Sequence, residues 1–153
     1  ITKAAHDISG DVLVIQMGSN GGWDDYDELI EQYKAMIANS GTECYIIIGD
    51  TDNPDESVDS ANYTSSQEVG TGDSMWEAAL REAFGEHFIN MRTYLLENAL
   101  NIAGLEPTQM DEEDLSQGRV PETIKYDYTH LNSYGYYAIG YGVYEKGLEL
   151  GYW

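Results

Sequence analysis

Cys44 is the only cysteine in the 153 residues, which excludes an internal disulfide and any cysteine-based metal cluster. Its place ahead of an apolar run predicts a buried, inert thiol. Cationic side chains are scarce too: seven Lys and Arg stand against 28 Asp and Glu, for a net charge of −21. Such a field repels phosphate backbones and anionic lipid, so neither nucleic acid nor a membrane is expected as a partner, while neutral or cationic ligands remain compatible. No apolar run approaches the roughly 18 residues that span a bilayer. Three prolines, Pro54, Pro107 and Pro121, fall in stretches without periodicity and mark loops. No signal peptide or initiator Met is visible, and the opening at Ile1 reads as a cut or a domain boundary. The acidic, Tyr-rich, Lys-poor composition points to a secreted or cell-surface bacterial protein.

What is present is the composition of a folded domain: 42% hydrophobic residues, with 13 Tyr and 3 Trp. A chain this long buries about 68–70% of its unfolded surface around one core. Val12 to Met17 is a β-rich apolar run suited to a strand covered on both faces, and Gly18-Ser19-Asn20-Gly21-Gly22 ends it. From Asp24 the residues Tyr26, Leu29, Ile30, Tyr33, Met36 and Ile37 recur at helical spacing, and Asn39-Ser40-Gly41 closes the helix. Cys44 to Ile48 is a second strand running into Gly49-Asp50, so strand, helix, strand predicts a right-handed crossover and an α/β fold. Residues 50–73 read as a long polar loop. Ser74 and Glu77 are spaced as a capping box for a helix that stops at Gly85. Phe88 to Met91 suits a short third strand, Tyr94 to Ile102 a helix, and 104–125 another loop, acidic at Asp111 to Asp114. After His130, Tyr134, Tyr137, Tyr141, Tyr144 and Leu148 keep helical spacing despite Gly135, Gly140, Gly142 and Gly147, for which close packing on the sheet is one reason. Aromatic residues in that pattern usually face a core, although they and Trp23 and Tyr63 also suit a sugar-binding cleft.

Asp127-Tyr128-Thr129-His130 carries the chemistry. A carboxylate three residues before a histidine on a tight turn can reach the ring Nδ1–H, which leaves Nε2 free as a general base. The alternative is a surface Asp and a His that only cap the following helix.

The stretch D-x-x-H-L-N-x-x-G-Y before the last helix resembles the C-terminal block of the SGNH (GDSL-like) hydrolase family, and Gly18-Ser19-Asn20-Gly21 after a buried strand resembles its Gly-x-Asn-Asp turn. The resemblance implies a flavodoxin-like three-layer sandwich with a parallel sheet. It implies His130 as base, Asp127 as its orienting carboxylate, Asn20 as oxyanion donor and Gly18 with it as an oxyanion or substrate-binding residue, with no cofactor and no metal. It runs from the strand at Val12 through the final helix and makes residues 1–153 one partial domain. The family's serine block, with one strand and one helix, is then expected upstream of residue 1. Gly21 stands where the family pattern has Asp, a departure also found in SGNH-type O-acyltransferases.

Three internal hydroxyls compete for the nucleophile's place. Gly72-Asp73-Ser74 has the letters of the family's first block but lacks a strand before it, so Ser74 reads as a helix cap. Thr51 follows a strand already assigned, and Ser19 lies on a strand-to-helix turn of the wrong spacing. The acidic residues 50–59 superficially suggest Ca²⁺, but Pro54 stands where an EF-hand loop places a ligand. His6 and His87 have no partner pattern and read as structural. The functional expectation is an ester hydrolase removing small O-acyl groups from carbohydrate. An O-acyltransferase and a non-catalytic glycan-binding or structural module are the alternatives.

Overall fold

A computed structural model describes residues 11–51 and 73–153. The elements run β1 (Leu13–Ile15), α1 (Tyr26–Ser40), β2 (Tyr45–Ile48), α2 (Met75–Phe84), a 3₁₀ turn (Gly85–His87), β3 (Phe88–Ile89), α3 (Met91–Ala103), α4 (Gln109–Ser116), a second 3₁₀ turn (Glu122–Ile124) and α5 (Ser133–Glu149). The three strands form one parallel sheet in the order β1-β2-β3, with Val14 beside Ile46 and Ile47 beside Phe88. The expected α/β class is what the chain adopts.

Strand alternation divides the core in two. Ile15, Ile47 and Phe88 pack on one face with Leu29 and Tyr33 of α1 and Trp76, Leu80 and Phe84 of α2. Ile46, Ile48 and Ile89 pack on the other with Met91, Leu95 and Ala99 of α3 and Ala138 and Ile139 of α5. The sheet is thus sandwiched between two helical layers, as a parallel sheet requires to keep both faces from water. No helix among the described residues is long and apolar enough to cross a membrane.

Local signals place the helix ends. Asp25 caps α1 by accepting from the Glu28 N–H, and Gly41 ends it at φ 71°. Ser74 and Glu77 form the reciprocal capping box of α2. Asn90 caps α3, which begins at Met91, three residues before the sequence reading has it. The expected loop 104–125 is corrected: it holds α4 and the second 3₁₀ turn. Helix α4 has no apolar stripe to signal it. It is held instead by Asp111, fully buried, whose carboxylate accepts from the N–H and Oγ1 of both Thr108 and Thr123 at 2.6–2.9 Å.

Cys44 is half-buried rather than fully enclosed, because it precedes β2 instead of lying within it. The tyrosine stripe of α5 is also a correction: Tyr134, Tyr137, Tyr141 and Tyr144 are exposed, and the buried face of the helix is Gly135, Ala138, Ile139 and Gly142. The helix packs through its small residues. A Cβ on Gly135 would lie 2.7 Å from the Ile124 carbonyl oxygen, and one on Gly142 would lie 2.8 Å from the Tyr94 ring. These glycines therefore admit a 3₁₀ turn and a helix, not the sheet, and Gly140 has open space around it. Trp23 is core, tilted against Trp76, whereas Tyr63 and His6 lie outside the described residues. His87 stacks on Tyr45 at 4.1 Å, and its Nδ1 lies 3.0 Å from the Tyr152 hydroxyl.

One buried ion pair joins the layers. The Arg92 guanidinium, fully buried, meets the Glu77 carboxylate through two 2.7 Å hydrogen bonds and donates a third to the Gly118 carbonyl.

Candidate active site

The loop after β1 is hydrogen-bonded at its base and exposed at its tip. Tyr33, fully buried on α1, donates its hydroxyl proton to the Met17 carbonyl and accepts from the Met17 N–H at 3.3 Å. Burial pushes its pKa up to about 12, so it remains a donor. Gly18 follows at φ 111°, and a Cβ there would lie 2.7 Å from the Trp76 ring, so both backbone and packing demand glycine. Its carbonyl accepts from Gly21 N–H at 2.9 Å and Trp23 Nε1 at 3.1 Å. Ser19 and Asn20 thereby become the two central residues of a β-turn. No non-glycine residue among those described has positive φ, so Asn20 is not there to supply a left-handed backbone. Its exposed amide makes no hydrogen bond among the described residues. Gly21, at φ 76°, takes the left-handed conformation that makes glycine favourable where the family pattern has Asp.

Two of the three competing hydroxyls, those of Ser19 and Ser74, are otherwise engaged. Ser19 Oγ donates to Asp50 Oδ1 at 3.1 Å, tying the loops that follow β1 and β2. Asp50 also accepts from the Thr51 backbone N–H at 2.8 Å. Ser74 is buried and occupied as the α2 cap. The acidic residues 52–59 lie outside the described residues. Among the described residues, no cluster of three or more His, Cys, Asp or Glu side chains could hold a metal ion.

Asp127 and His130 form the dyad that the spacing predicts. His130 Nδ1 lies 2.9 Å and 3.0 Å from the two Asp127 oxygens. Asp127 Oδ1 also accepts from the backbone N–H of His130 at 2.8 Å and of Thr129 at 3.0 Å. Those two backbone donors, ahead of the imidazole itself, hold the carboxyl below its usual range. An ionised carboxylate only accepts, so the shared proton belongs to Nδ1 and the Nε2 lone pair faces outward. The ring is 68% exposed and the carboxylate 47%, which leaves the dyad open to an incoming group.

The platform beneath the dyad is built by a residue that sequence reasoning names but gives no role. Asn132 donates its side-chain amide to the carbonyls of Thr123 and Lys125 and accepts from the Tyr134 and Gly135 N–H groups. One side chain thus closes the 123–132 loop and caps α5. Leu131 is buried below it and pairs with Lys125 as an isolated bridge, while the Tyr126 N–H donates to the His130 carbonyl at 2.7 Å. The capping residue before a helical run is the signal that could have identified Asn132.

Topology brings both halves of the site to one end. Helix α5 packs on β2 and β3, and just past its C-terminus the Tyr152 hydroxyl meets the backbone of Tyr45, the first residue of β2. Arg92, one residue into α3 from the carboxyl end of β3, meanwhile reaches the Gly118 carbonyl in the segment that leads into the dyad loop. α5 therefore runs opposite to the strands, and its N-terminus with His130 stands at their carboxyl end. Asn20, five residues beyond the last residue of β1, stands at that end too. This is the side on which open α/β sheets bind ligands.

No protein-family model, no curated protein and no solved structure matches this chain.

Proposed function

We propose that this domain is a serine ester hydrolase of SGNH type with a flavodoxin-like sandwich, in which His130 is the general base, Asp127 orients it and Asn20 donates to the oxyanion. The observation that carries the reading is the open Asp127–His130 pair at the sheet end where the Asn20 amide, unengaged among the described residues, also stands. Gly18 holds the turn that presents Asn20.

The nucleophile is a serine outside the described residues, since no described hydroxyl hydrogen-bonds to the His130 ring. The outer edge of β1 supports this assignment. Val14 and Met17 are exposed there beside a 430 Å³ groove lined by Leu13 to Met17 and by Met36, Asn39 and Ser40. A further parallel strand would pair there and end beside the Asn20 turn.

In the reaction, the serine oxygen bonds to the ester carbonyl carbon while its proton passes to His130 Nε2. The carbonyl oxygen, now anionic, takes the Asn20 N–H. His130 then returns the proton to the departing alcohol, and water repeats the sequence to free the carboxylic acid. The substrate we assign is a small O-acyl group on carbohydrate, an uncharged ester suited to a strongly acidic surface. Labelling with a fluorophosphonate followed by peptide mapping tests the assignment. One serine should be modified, the modification should vanish in His130→Ala, and modification of Ser74 would refute the assignment.

A further inference from the structure

On α5, Tyr134, Tyr137, Tyr141, Tyr144 and Leu148 follow one another at alternating three- and four-residue steps, and all are 40–60% exposed. At 100° per residue they fall within an arc of about 80°, opposite the glycines that seat the helix. Trp153 extends the row. Its indole covers Gly147, donates to the Tyr144 carbonyl at 3.0 Å and lies 11° from parallel with the Tyr144 ring. From Leu131 to Tyr144 the chain carries no Asp, Glu, Lys, Arg or His, although the whole chain has net charge −21.

We infer that this face binds an extended, uncharged, β-1,4-linked polysaccharide chain, whose pyranose rings stack along the tyrosines. Three observations select that occupant. The absence of charge from Leu131 through the four tyrosines to Tyr144, within so acidic a chain and with Glu145, Lys146 and Glu149 only beyond them, matches a neutral ligand rather than a cationic peptide or an anionic polymer. Tyrosine occupies four of the five positions where a helix-to-helix seam takes Leu, Ile or Val, and a dry protein interface would leave up to four phenolic hydroxyls per helix seeking partners. A polyhydroxylated ligand supplies those partners while its C–H faces cover the rings. Finally, Tyr134 to Tyr141 and Tyr137 to Tyr144 each rise about 10 Å along the axis, close to the length of two linked pyranose rings in an extended chain. The row begins one helical turn from His130, so a bound chain would be delivered toward the dyad, but the binding itself does not depend on the hydrolase reading.

Affinity electrophoresis and calorimetry with xylohexaose, cellohexaose and mannohexaose test the inference, with maltohexaose as the curved α-linked control. At least one β-linked hexasaccharide should bind, and Tyr137→Ala with Tyr144→Ala should weaken it at least tenfold. Either single variant should weaken it at least threefold, which keeps the comparison available if the double variant is not folded. His130→Ala should bind like the wild type, which separates this surface from the catalytic assignment. Binding of none of the three, or binding that survives the tyrosine variants, would overturn the inference. So would light scattering that shows a dimer which those variants split into monomers, because the face would then belong to a second copy.

Discussion

At the residue scale, three hydrogen bonds from a single turn decide what Asp127 is. Two come from backbone N–H groups and fix the carboxylate whether or not the imidazole is present, and the third is the His130 ring. Because its pKa is held below the usual range, the carboxylate keeps its charge through neutral and mildly acidic pH. Asp127→Asn preserves the shape and loses the charge and the tautomer control. It should lower kcat by about 10³–10⁴-fold with little change in melting temperature, and steady-state kinetics beside a thermal melt will show whether the two separate. Asn20→Ala should lower kcat by about 10²–10³-fold with KM nearly unchanged, as expected for a donor engaged only in the transition state. Both dyad members were legible in the sequence because the interaction closes within four residues. Arg92 and Glu77 were not recognised as a pair, because charges 15 residues apart read as surface until the fold buries them together. Arg92→Met should cost about 3–5 kcal/mol in urea unfolding by stranding the Glu77 carboxylate and the Gly118 carbonyl.

At the element scale, the final helix separates glycines that pack from one that does not. Gly135→Ala drives a Cβ against the Ile124 carbonyl directly beneath the dyad, a backbone contact that cannot rotate away. It should destabilise the fold by about 1–3 kcal/mol and depress activity with it. Gly140→Ala meets nothing, and by removing backbone freedom from a helix interior should stabilise by about 0.5–1 kcal/mol. Parallel chemical denaturation of the two variants should therefore give opposite signs. Capping residues at Ser74 and Gly41 and the 3.6-residue periods made α1, α2 and α5 legible. The orientation of α5 was misread, because aromatic residues outrank glycine in hydrophobicity and the small residues are the ones that let the helix sit down. Helix α4 was missed because its stability rests on the buried Asp111 and the Thr108 cap, which no apolar count detects.

At the scale of the whole molecule, the excess of negative charge and the buried carboxylates set the response to solution conditions. Screening relieves repulsion among like charges, so raising NaCl from low to moderate concentration should raise the melting temperature. Asp111 contributes to the loss of stability in acid. Burial alone would raise its pKa, but the bonds from Thr123 and Thr108 more than offset that, and the net shift is downward. A depressed folded-state pKa contributes stability that is complete above the ordinary carboxylate value of 3.8 and is lost as pH falls through the folded value. Asp111→Asn should therefore lose about 1–3 kcal/mol at pH 7 and show a shallower decline on acidification than the wild type, measured by urea unfolding at a series of pH values. The α/β class and the parallel direction of β1 and β2 were legible from two apolar runs flanking a helix, whereas the order β1-β2-β3 came from the structure. The sheet end shared by Asn20 and His130 was not, since it depends on the direction in which α5 returns across β2 and β3. That shared end is what makes a local motif and a distant turn candidates for one reaction. Hydrolysis of an acetyl ester by the purified protein and by His130→Ala measures it most directly: the account predicts turnover by the wild type and a loss of at least 10³-fold in the variant, and equal rates in the two proteins would contradict it.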